Sequence, residues 1–150
     1  MTEALFYHLE ARPVEQVLPV LLTRSLERGW RVVVQAGSQD RLEAIDSHLW
    51  TFADDAFLPH GTIADDYPEQ QPIFLTTGEE NPNRATVRFL IDRAPPPVDL
   101  TAYERLVLLF SGDDSEALAE ARAHWKALKE AGHAVTYWQQ DGRGAWVKKA

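Results

Sequence analysis

The cationic side chains with the most suggestive spacing lie late in the chain, in a segment of helical periodicity. Arg122, Lys126 and Lys129 fall within about 60° of one another on a helical wheel, because an α-helix has 3.6 residues per turn. Trp125 lies at the edge of this stripe. The apolar row beside it comprises Leu118, Ala121 and Leu128. The pattern fits either a solvated helix face with Trp125 in the core, or a cationic ledge beside an aromatic pocket for a carboxylate-bearing peptide.

The sequence contains no pattern typical of a catalytic or metal-binding site. The histidines show neither i,i+4 pairing nor H-x-E spacing, and single acidic pairs such as Asp54–Asp55 are more typical of turns and caps than of cation sites. Ser111 precedes Gly112 without a G-x-S-x-G elbow, so we expect it to cap a helix. These patterns predict a protein with no catalytic residues, no metal and no cofactor.

A second group of large apolar side chains interrupts the regular periodicity in the segment LWTFADDAFLPH, residues 49–60. Trp50, Phe52, Phe57 and Leu58 either fold back under the core or form an exposed patch that a partner covers. His60 follows Pro59 and is the histidine most suggestive of a role. Its simpler interpretation is a loop imidazole that is hydrogen-bonded to the backbone.

The charge of the chain is unevenly distributed, and this limits the class of partner. Residues 1–116 hold nine arginines, no lysine and twenty Asp or Glu residues, whereas residues 117–150 hold six Lys or Arg and three Asp or Glu residues. The formal net charge of -8 opposes a polyanion, so direct binding of nucleic acid is not expected, and a small basic site favours a short acidic partner. The absence of cysteine, membrane span and secretory signal predicts a cytoplasmic protein.

Strand and helix patterns alternate along the chain and predict an α/β fold. Residues 1–150 are expected to form a single domain, a three-layer sandwich with a mostly parallel sheet and an antiparallel C-terminal edge. The predicted strands are Ala4–Leu9, Trp30–Ala36, Ile73–Thr77, Thr86–Asp92, Leu106–Phe110, His133–Gln139 and Ala145–Lys149. Helices are predicted from about Pro13 to Gly29, with Pro19 kinking the helix or delaying its start, from Ser38 through Leu49, and from about Asp114 to Ala131.

Phosphate-binding signals are missing from this predicted α/β fold. The first strand is followed by HLEARP, which has no glycine, and a P-loop lysine is excluded because every lysine lies between residues 126 and 150. The topology is therefore expected to be nucleotide-binding-like without a phosphate loop.

Several blocks of the sequence, in order, resemble the chi subunit family of bacterial DNA polymerase III holoenzyme. The blocks are FYHL (Phe6–Leu9), GWRVVV (Gly29–Val34), LW-x-F-x4-F-x-PH (Leu49–His60), QPIFLTTGEENPN (Gln71–Asn83), YERLVLLF (Tyr103–Phe110) and the segment Trp125–Trp146. The resemblance implies a non-catalytic clamp-loader-associated subunit that acts in DNA replication. It also implies two partners, namely the small psi subunit and the acidic, phenylalanine-ended C-terminal tail of single-stranded DNA-binding protein.

The resemblance also assigns residues to the two partners. Arg122 and Trp125 match the arginine and the aromatic residue of the tail-binding helix. Leu118 stands where the family has a basic residue, and Lys126 or Lys129 is expected to compensate for it. Ser111 is included in this expected tail site. The expected psi-facing surface is Phe57 with Trp50, Leu58, Pro59 and His60.

Two alternatives from other functional classes remain open at this point. The first is an enzyme that uses a nucleotide or phosphate substrate at the carboxyl edge of the sheet, for which only the α/β pattern and His60 argue. The second is direct binding of single-stranded DNA by Tyr137, Trp138 and Trp146 with the C-terminal cations, since stacking rings and charge are what such sites use.

Overall fold

The computed structural model describes residues 2–51 and 58–150 of the chain. Its helices are α1 (Val14–Glu27), α2 (Gln39–Thr51) and α3 (Ser115–Glu130), with a short 3₁₀ turn at Pro68–Gln70. Its strands are β1 (Glu3–Leu9), β2 (Val32–Gln35), β3 (Ile73–Thr76), β4 (Val87–Leu90), β5 (Arg105–Ser111), β6 (Ala134–Gln140) and β7 (Trp146–Lys148).

The described strands form one seven-stranded sheet in the order β3-β2-β4-β5-β1-β6-β7. Every neighbouring pair is parallel except β6 and β7, which are antiparallel. The predicted α/β class, the mostly parallel sheet and the antiparallel C-terminal edge are therefore confirmed. The strands are apolar enough to be buried on both faces, as β2 and β3 show, with all four residues of each strand buried.

The connections place the helices on opposite faces of the sheet. The chain leaves β1 toward β2 and β3 in one direction, and it leaves β5 toward β6 in the other direction. Because parallel crossovers are right-handed, α1 and α2 cover one face while α3 covers the other, which gives the predicted three layers. The two apolar clusters follow this division: Leu18, Leu22 and Ile45 pack on one side of the sheet, and Ala117, Ala121 and Leu128 on the other.

Some predicted boundaries need correction. Helix α1 contains Pro19 and still begins at Val14, so Pro19 does not delay its start. Ser111 is not a helix cap: it is the last residue of β5, and α3 is capped by Asp114, whose carboxylate accepts hydrogen bonds from the backbone N–H groups of Glu116 and Ala117. An ionised carboxylate at this position also suits the positive end of the helix dipole, so Asp114 is the better cap.

A fully buried arginine, which the sequence patterns did not single out, links the middle strands to the loops. Arg88 on β4 has no exposed surface, and its guanidinium donates to Gln35 Oε1 at 2.7 Å and to the Tyr103 hydroxyl at 2.9 Å. It also donates to the backbone carbonyls of Gly78 and Glu80. Its hydrogen-bonding capacity is thus used inside the fold.

Candidate functional site

Helix α3 positions the cationic stripe, and its sequence explains both of its ends. Asp114 caps the first turn, and the chain leaves the last turn through Gly132, whose φ of 92° is unfavourable for other residues. The backbone N–H of His133 donates to the carbonyl of Leu128 at 3.1 Å and closes the C-terminus. The helix rotation is fixed by its buried alanines and Leu128, so the cations are turned to solvent.

The cations of the stripe are exposed and make no ion pair with the described residues of the chain. Arg122, Lys126 and Lys129 are all exposed. Within residues 2–51 and 58–150, none of the three has a carboxylate oxygen within ion-pairing distance. Their charge is therefore left available to a molecule outside the chain.

Trp125 borders both the core and this cationic stripe. Its ring packs edge-on against Phe6 on β1, with ring centroids 5.4 Å apart, and against Tyr137 on β6 at 5.9 Å. Trp125 and Leu118 both remain half-buried against the α3-side core. Trp125 is therefore neither wholly a core residue nor wholly the wall of a surface pocket. One edge of its indole is part of the core, and the rest adjoins the exposed cations.

Tyr137 completes this surface, whereas the sequence patterns suggested it only for stacking with single-stranded DNA and not for the tail site. The parallel register of β1 and β6 sets Phe6 opposite Tyr137, which brings the phenol to Trp125. Burial raises the pKa of Tyr137, and the nearby Arg122 guanidinium partly opposes that rise. One continuous surface results, which we call the α3 surface. It comprises Leu118, Arg122, Trp125, Lys126, Lys129 and Tyr137. Tyr137 joins this surface through the register of β1 and β6, which no local sequence pattern reveals.

A series of polar contacts through His8 and Glu10 holds the phenol of Tyr137 in place. A hydrogen bond of 2.7 Å joins its hydroxyl to His8 Nδ1, and His8 Nε2 lies 2.8 Å from a carboxylate oxygen of Glu10. Gln139 donates to the same oxygen of Glu10 at 3.0 Å. These contacts fix the orientation of the phenol beside Trp125.

Ser111 lies apart from this surface, at the carboxyl edge of the sheet. It is exposed at the end of β5 and lines a cleft of about 540 Å³ between the β1–α1 and β5–α3 connections. Its hydroxyl accepts a hydrogen bond from the backbone N–H of Asp113 at 3.3 Å.

The carboxyl-edge cleft is where open α/β sheets usually bind ligands, because the strand order reverses there. Two of its arginines are paired internally: Arg41 with Glu15 and Asp92, and Arg93 with Glu116 and Glu120. The hydrogen bond from Arg93 lowers the pKa of Glu120, which keeps the carboxylate charged. The cleft also carries Glu10, Asp113 and Asp114. The excess of carboxylates over arginines makes it a poor site for a phosphate group.

The second surface expected from the sequence is only partly exposed. His60 is buried, with Nδ1 donating to the carbonyl of Leu58 at 2.6 Å and Nε2 3.0 Å from Asp46 Oδ1, so the expected backbone-bonded loop imidazole is confirmed. Leu58 is also buried, and Pro59 is half-buried. The ring of Trp50, which is 50% exposed, lies over His60 with centroids 4.1 Å apart. Phe57 lies outside the described residues.

The described part of the chain has neither a metal-ion cluster nor a membrane-spanning helix. Residues 2–51 and 58–150 contain no cluster of three or more His, Asp or Glu side chains arranged to hold a metal ion. No helix among them is long and apolar enough to cross a bilayer.

The fold is a nucleotide-binding-like α/β domain that lacks a phosphate loop. On one face of its helix α3 it exposes three cations that make no ion pair among the described residues. Residues 1–136 match the family described as DNA polymerase III chi subunit, HolC, and the chain belongs to this family. A relative from Rickettsia prowazekii (strain Madrid E), named a probable DNA polymerase III subunit chi, is 28% identical over 91 residues. The aligned region covers 61% of this chain and 55% of that relative, or about half of its length. Family membership implies an accessory role in DNA polymerase III.

Proposed function

We propose that this chain is a non-catalytic adaptor of the DNA polymerase III holoenzyme in the cytoplasm. In this proposal it joins the psi subunit of the clamp loader to the acidic C-terminal tail of single-stranded DNA-binding protein during DNA replication. The observation that carries the proposal is the α3 surface, on which a half-buried tryptophan adjoins exposed cations that make no ion pair in residues 2–51 and 58–150.

The chemistry of the α3 surface matches an acidic tail that ends in phenylalanine. The planar guanidinium of Arg122 suits a bidentate pair with a carboxylate, and the aromatic edge offered by Trp125 and Tyr137 suits a phenyl ring. Leu118 replaces a basic side chain with an apolar one, so it enlarges the apolar part of the surface. Lys126 and Lys129 then supply the remaining positive charge, and both are exposed.

Direct binding of nucleic acid is less well supported than peptide binding. The net charge of -8 repels a polyanion at long range, whereas a short acidic tail needs only the local field of α3. Tyr137, Trp138 and Trp146 are each half-buried rather than displayed as a stacking platform. We therefore favour a peptide partner.

The experiment is a fluorescence anisotropy titration with a labelled peptide that ends in aspartates and a final phenylalanine. We expect binding in the micromolar range that weakens with added salt and weakens by about tenfold or more for Arg122→Glu. Arg84→Glu is the matched control, because Arg84 is an exposed arginine in the turn before β4 and the charge change is the same. Absence of binding by the unaltered chain, or equal losses in the two variants, would contradict the proposal.

The psi-facing surface rests on the exposed ring of Trp50, with Phe57, Leu58, Pro59 and His60 as its expected neighbours. Because Leu58 and His60 are buried, they would support the surface from beneath while Trp50 contacts the partner. Co-purification with psi on a sizing column should be lost for Trp50→Ala. It should be retained for Tyr67→Ala, which removes another exposed aromatic ring.

A further inference from the structure

A small groove on the face of the sheet opposite α3 has its own cluster of arginines. It has a volume of about 150 Å³ and lies between the C-terminal half of α1 and strands β1, β4 and β5. Arg24 and Arg28 reach it from α1, and Arg105 from the start of β5. Its centre is apolar and includes Leu5, Tyr7 and Trp30.

Two of the three arginines of this groove, Arg28 and Arg105, are held in place by the ring of Trp30. The guanidinium of Arg105 lies 4.3 Å from the ring centroid of Trp30, and that of Arg28 lies 5.0 Å from it. Stacking of this kind uses the flat face of a guanidinium and leaves its N–H groups free to bind. In the described part of the chain, neither these two side chains nor that of Arg24 makes an ion pair within 4.0 Å.

The lining of the groove distinguishes it from the carboxyl-edge cleft. Both contain three arginines, but among the described residues no Asp or Glu lines the groove, while five line the cleft. Burial raises the pKa of Tyr7, and the carboxylate of Glu3 adds a smaller rise, which Arg24 and Arg28 oppose. The groove is therefore a local positive site on an acidic protein.

The apolar surface continues from the groove along the neighbouring strands. Tyr7 packs edge-on against Trp146 with ring centroids 4.8 Å apart, and the strand register sets Trp138 beside Tyr7 on the same face. Two buried polar atoms of this strand, Thr136 Oγ1 and Trp138 Nε1, have no hydrogen-bond partner among the described residues. Tyr7 thus connects the groove to half-buried aromatic side chains of β6 and β7.

We propose that this groove is a second peptide-docking site, distinct from the α3 surface, and that its occupant is an acidic segment with one apolar side chain. The volume of about 150 Å³ accepts a single side chain, whereas pockets for cofactors and nucleotides occupy roughly 300–1,000 Å³. The free guanidinium edges bind the flanking carboxylates bidentately. The net charge of -8 favours such a short partner over a nucleic acid.

The test uses NMR of the ¹⁵N-labelled full chain carrying Arg122→Glu, so that the α3 surface is disabled. The Trp30 indole signal is assigned with Trp30→Phe, and the probe is an end-blocked peptide of aspartates around one leucine. We expect the Trp30 signal to shift and saturate with peptide. We expect affinity to fall about tenfold with Arg28→Glu plus Arg105→Glu, and little with the matched charge change Arg143→Glu.

The outcomes separate this proposal from the one for α3. Failure of the α3 proposal alone would leave the Trp30 response intact. If the paired substitution unfolds the chain, Arg24→Glu replaces it, since Arg24 is exposed on α1. A Trp30 signal that does not move, a response unaffected by the arginine substitutions, or tighter binding of an oligo-dT control than of the peptide would each overturn the inference.

Discussion

Arg41 and Arg93 of the carboxyl-edge cleft differ from Arg122 of the α3 surface in what neutralises their charge. In the cleft, Arg41 and Arg93 are each paired with two carboxylates of the same chain. On α3, Arg122 is exposed and has no such pair among the described residues. Both regions contain arginine, so the residue type alone does not show which arginine is available to a partner.

The difference shows which charges are structural and which are available to a partner. An internally paired arginine has its hydrogen-bonding capacity occupied, and a ligand must displace a carboxylate to reach it. An unpaired and exposed arginine is solvated and can exchange water for a ligand carboxylate at low cost. Arg41 and Arg93 are therefore structural charges of the cleft, while the charge of Arg122 is available to a partner.

The largest expected effect comes from Arg88, the extreme case of an internally satisfied arginine. Arg88→Ala leaves Gln35 Oε1 and two backbone carbonyls without their donor and opens a cavity in the sheet. We expect the free energy of unfolding to fall by about 3 kcal/mol or more. Urea unfolding followed by circular dichroism measures this.

The contrast between buried Arg88 and exposed Arg122 predicts that Arg122→Ala, the control, has almost no effect on stability. Because Arg122 is exposed, its removal should change the free energy of unfolding by less than about 0.5 kcal/mol while weakening peptide binding. A large stability loss for Arg122→Ala would show that this arginine is structural after all.

An intermediate effect is expected at Trp125, which belongs to both the core and the α3 surface. Trp125→Ala removes the edge contacts with Phe6 and Tyr137, so we expect a loss of about 2 kcal/mol in the free energy of unfolding. Peptide affinity should fall about tenfold as well. Trp125→Phe should recover most of the stability, and unfolding and anisotropy measurements on both variants separate the two roles.

Smaller effects are expected from the lysines of α3. Lys126→Gln and Lys129→Gln should each lower the affinity for the acidic peptide by about two- to fivefold, since exposed ion pairs contribute little individually. The difference from the unaltered chain should shrink as NaCl is raised in the anisotropy titration. Losses that persist unchanged in high salt would indicate packing rather than charge.

The smallest effect concerns His124, on the side of α3 that faces away from β6. Burial lowers the pKa of His124 below its ordinary value of 6.5, and Glu120 partly opposes this. The unfolded chain therefore binds the proton first as the pH falls, so the stability contribution is complete above pH 6.5 and is lost below it. His124→Gln should flatten the dependence of unfolding free energy on pH between roughly 7 and 5, whereas an unchanged slope would contradict this assignment.

Much of the fold was predictable because its strands and helices carry strong local patterns. The apolar runs around Leu106–Phe110 and the helix from Ser115 to Glu130 are marked by hydrophobic periodicity, caps and breakers. The cap itself was misplaced, because Ser111 and Asp114 are both good capping residues. The position at which β5 ends decides between them, because Ser111 is still part of that strand.

The site was predictable only where its residues are neighbours in sequence. Arg122, Trp125, Lys126 and Lys129 share a helix, so their common face follows from helical geometry. Tyr137 joins them through the pairing of β1 with β6. Likewise, Trp30 was predicted as a strand residue, yet it precedes β2 and stacks with Arg28 and Arg105. Contacts of this kind depend on strand order and register, which periodicity does not encode.

A double-mutant cycle between Arg122 and the peptide tests the central claim most directly. Anisotropy titrations combine the unaltered chain and Arg122→Ala with the aspartate-rich peptide and with the same peptide carrying one aspartate changed to asparagine. Direct pairing of the guanidinium with a tail carboxylate predicts a coupling free energy of about 1 kcal/mol for at least one aspartate position. Losses that add to within about 0.3 kcal/mol at every position would contradict the account.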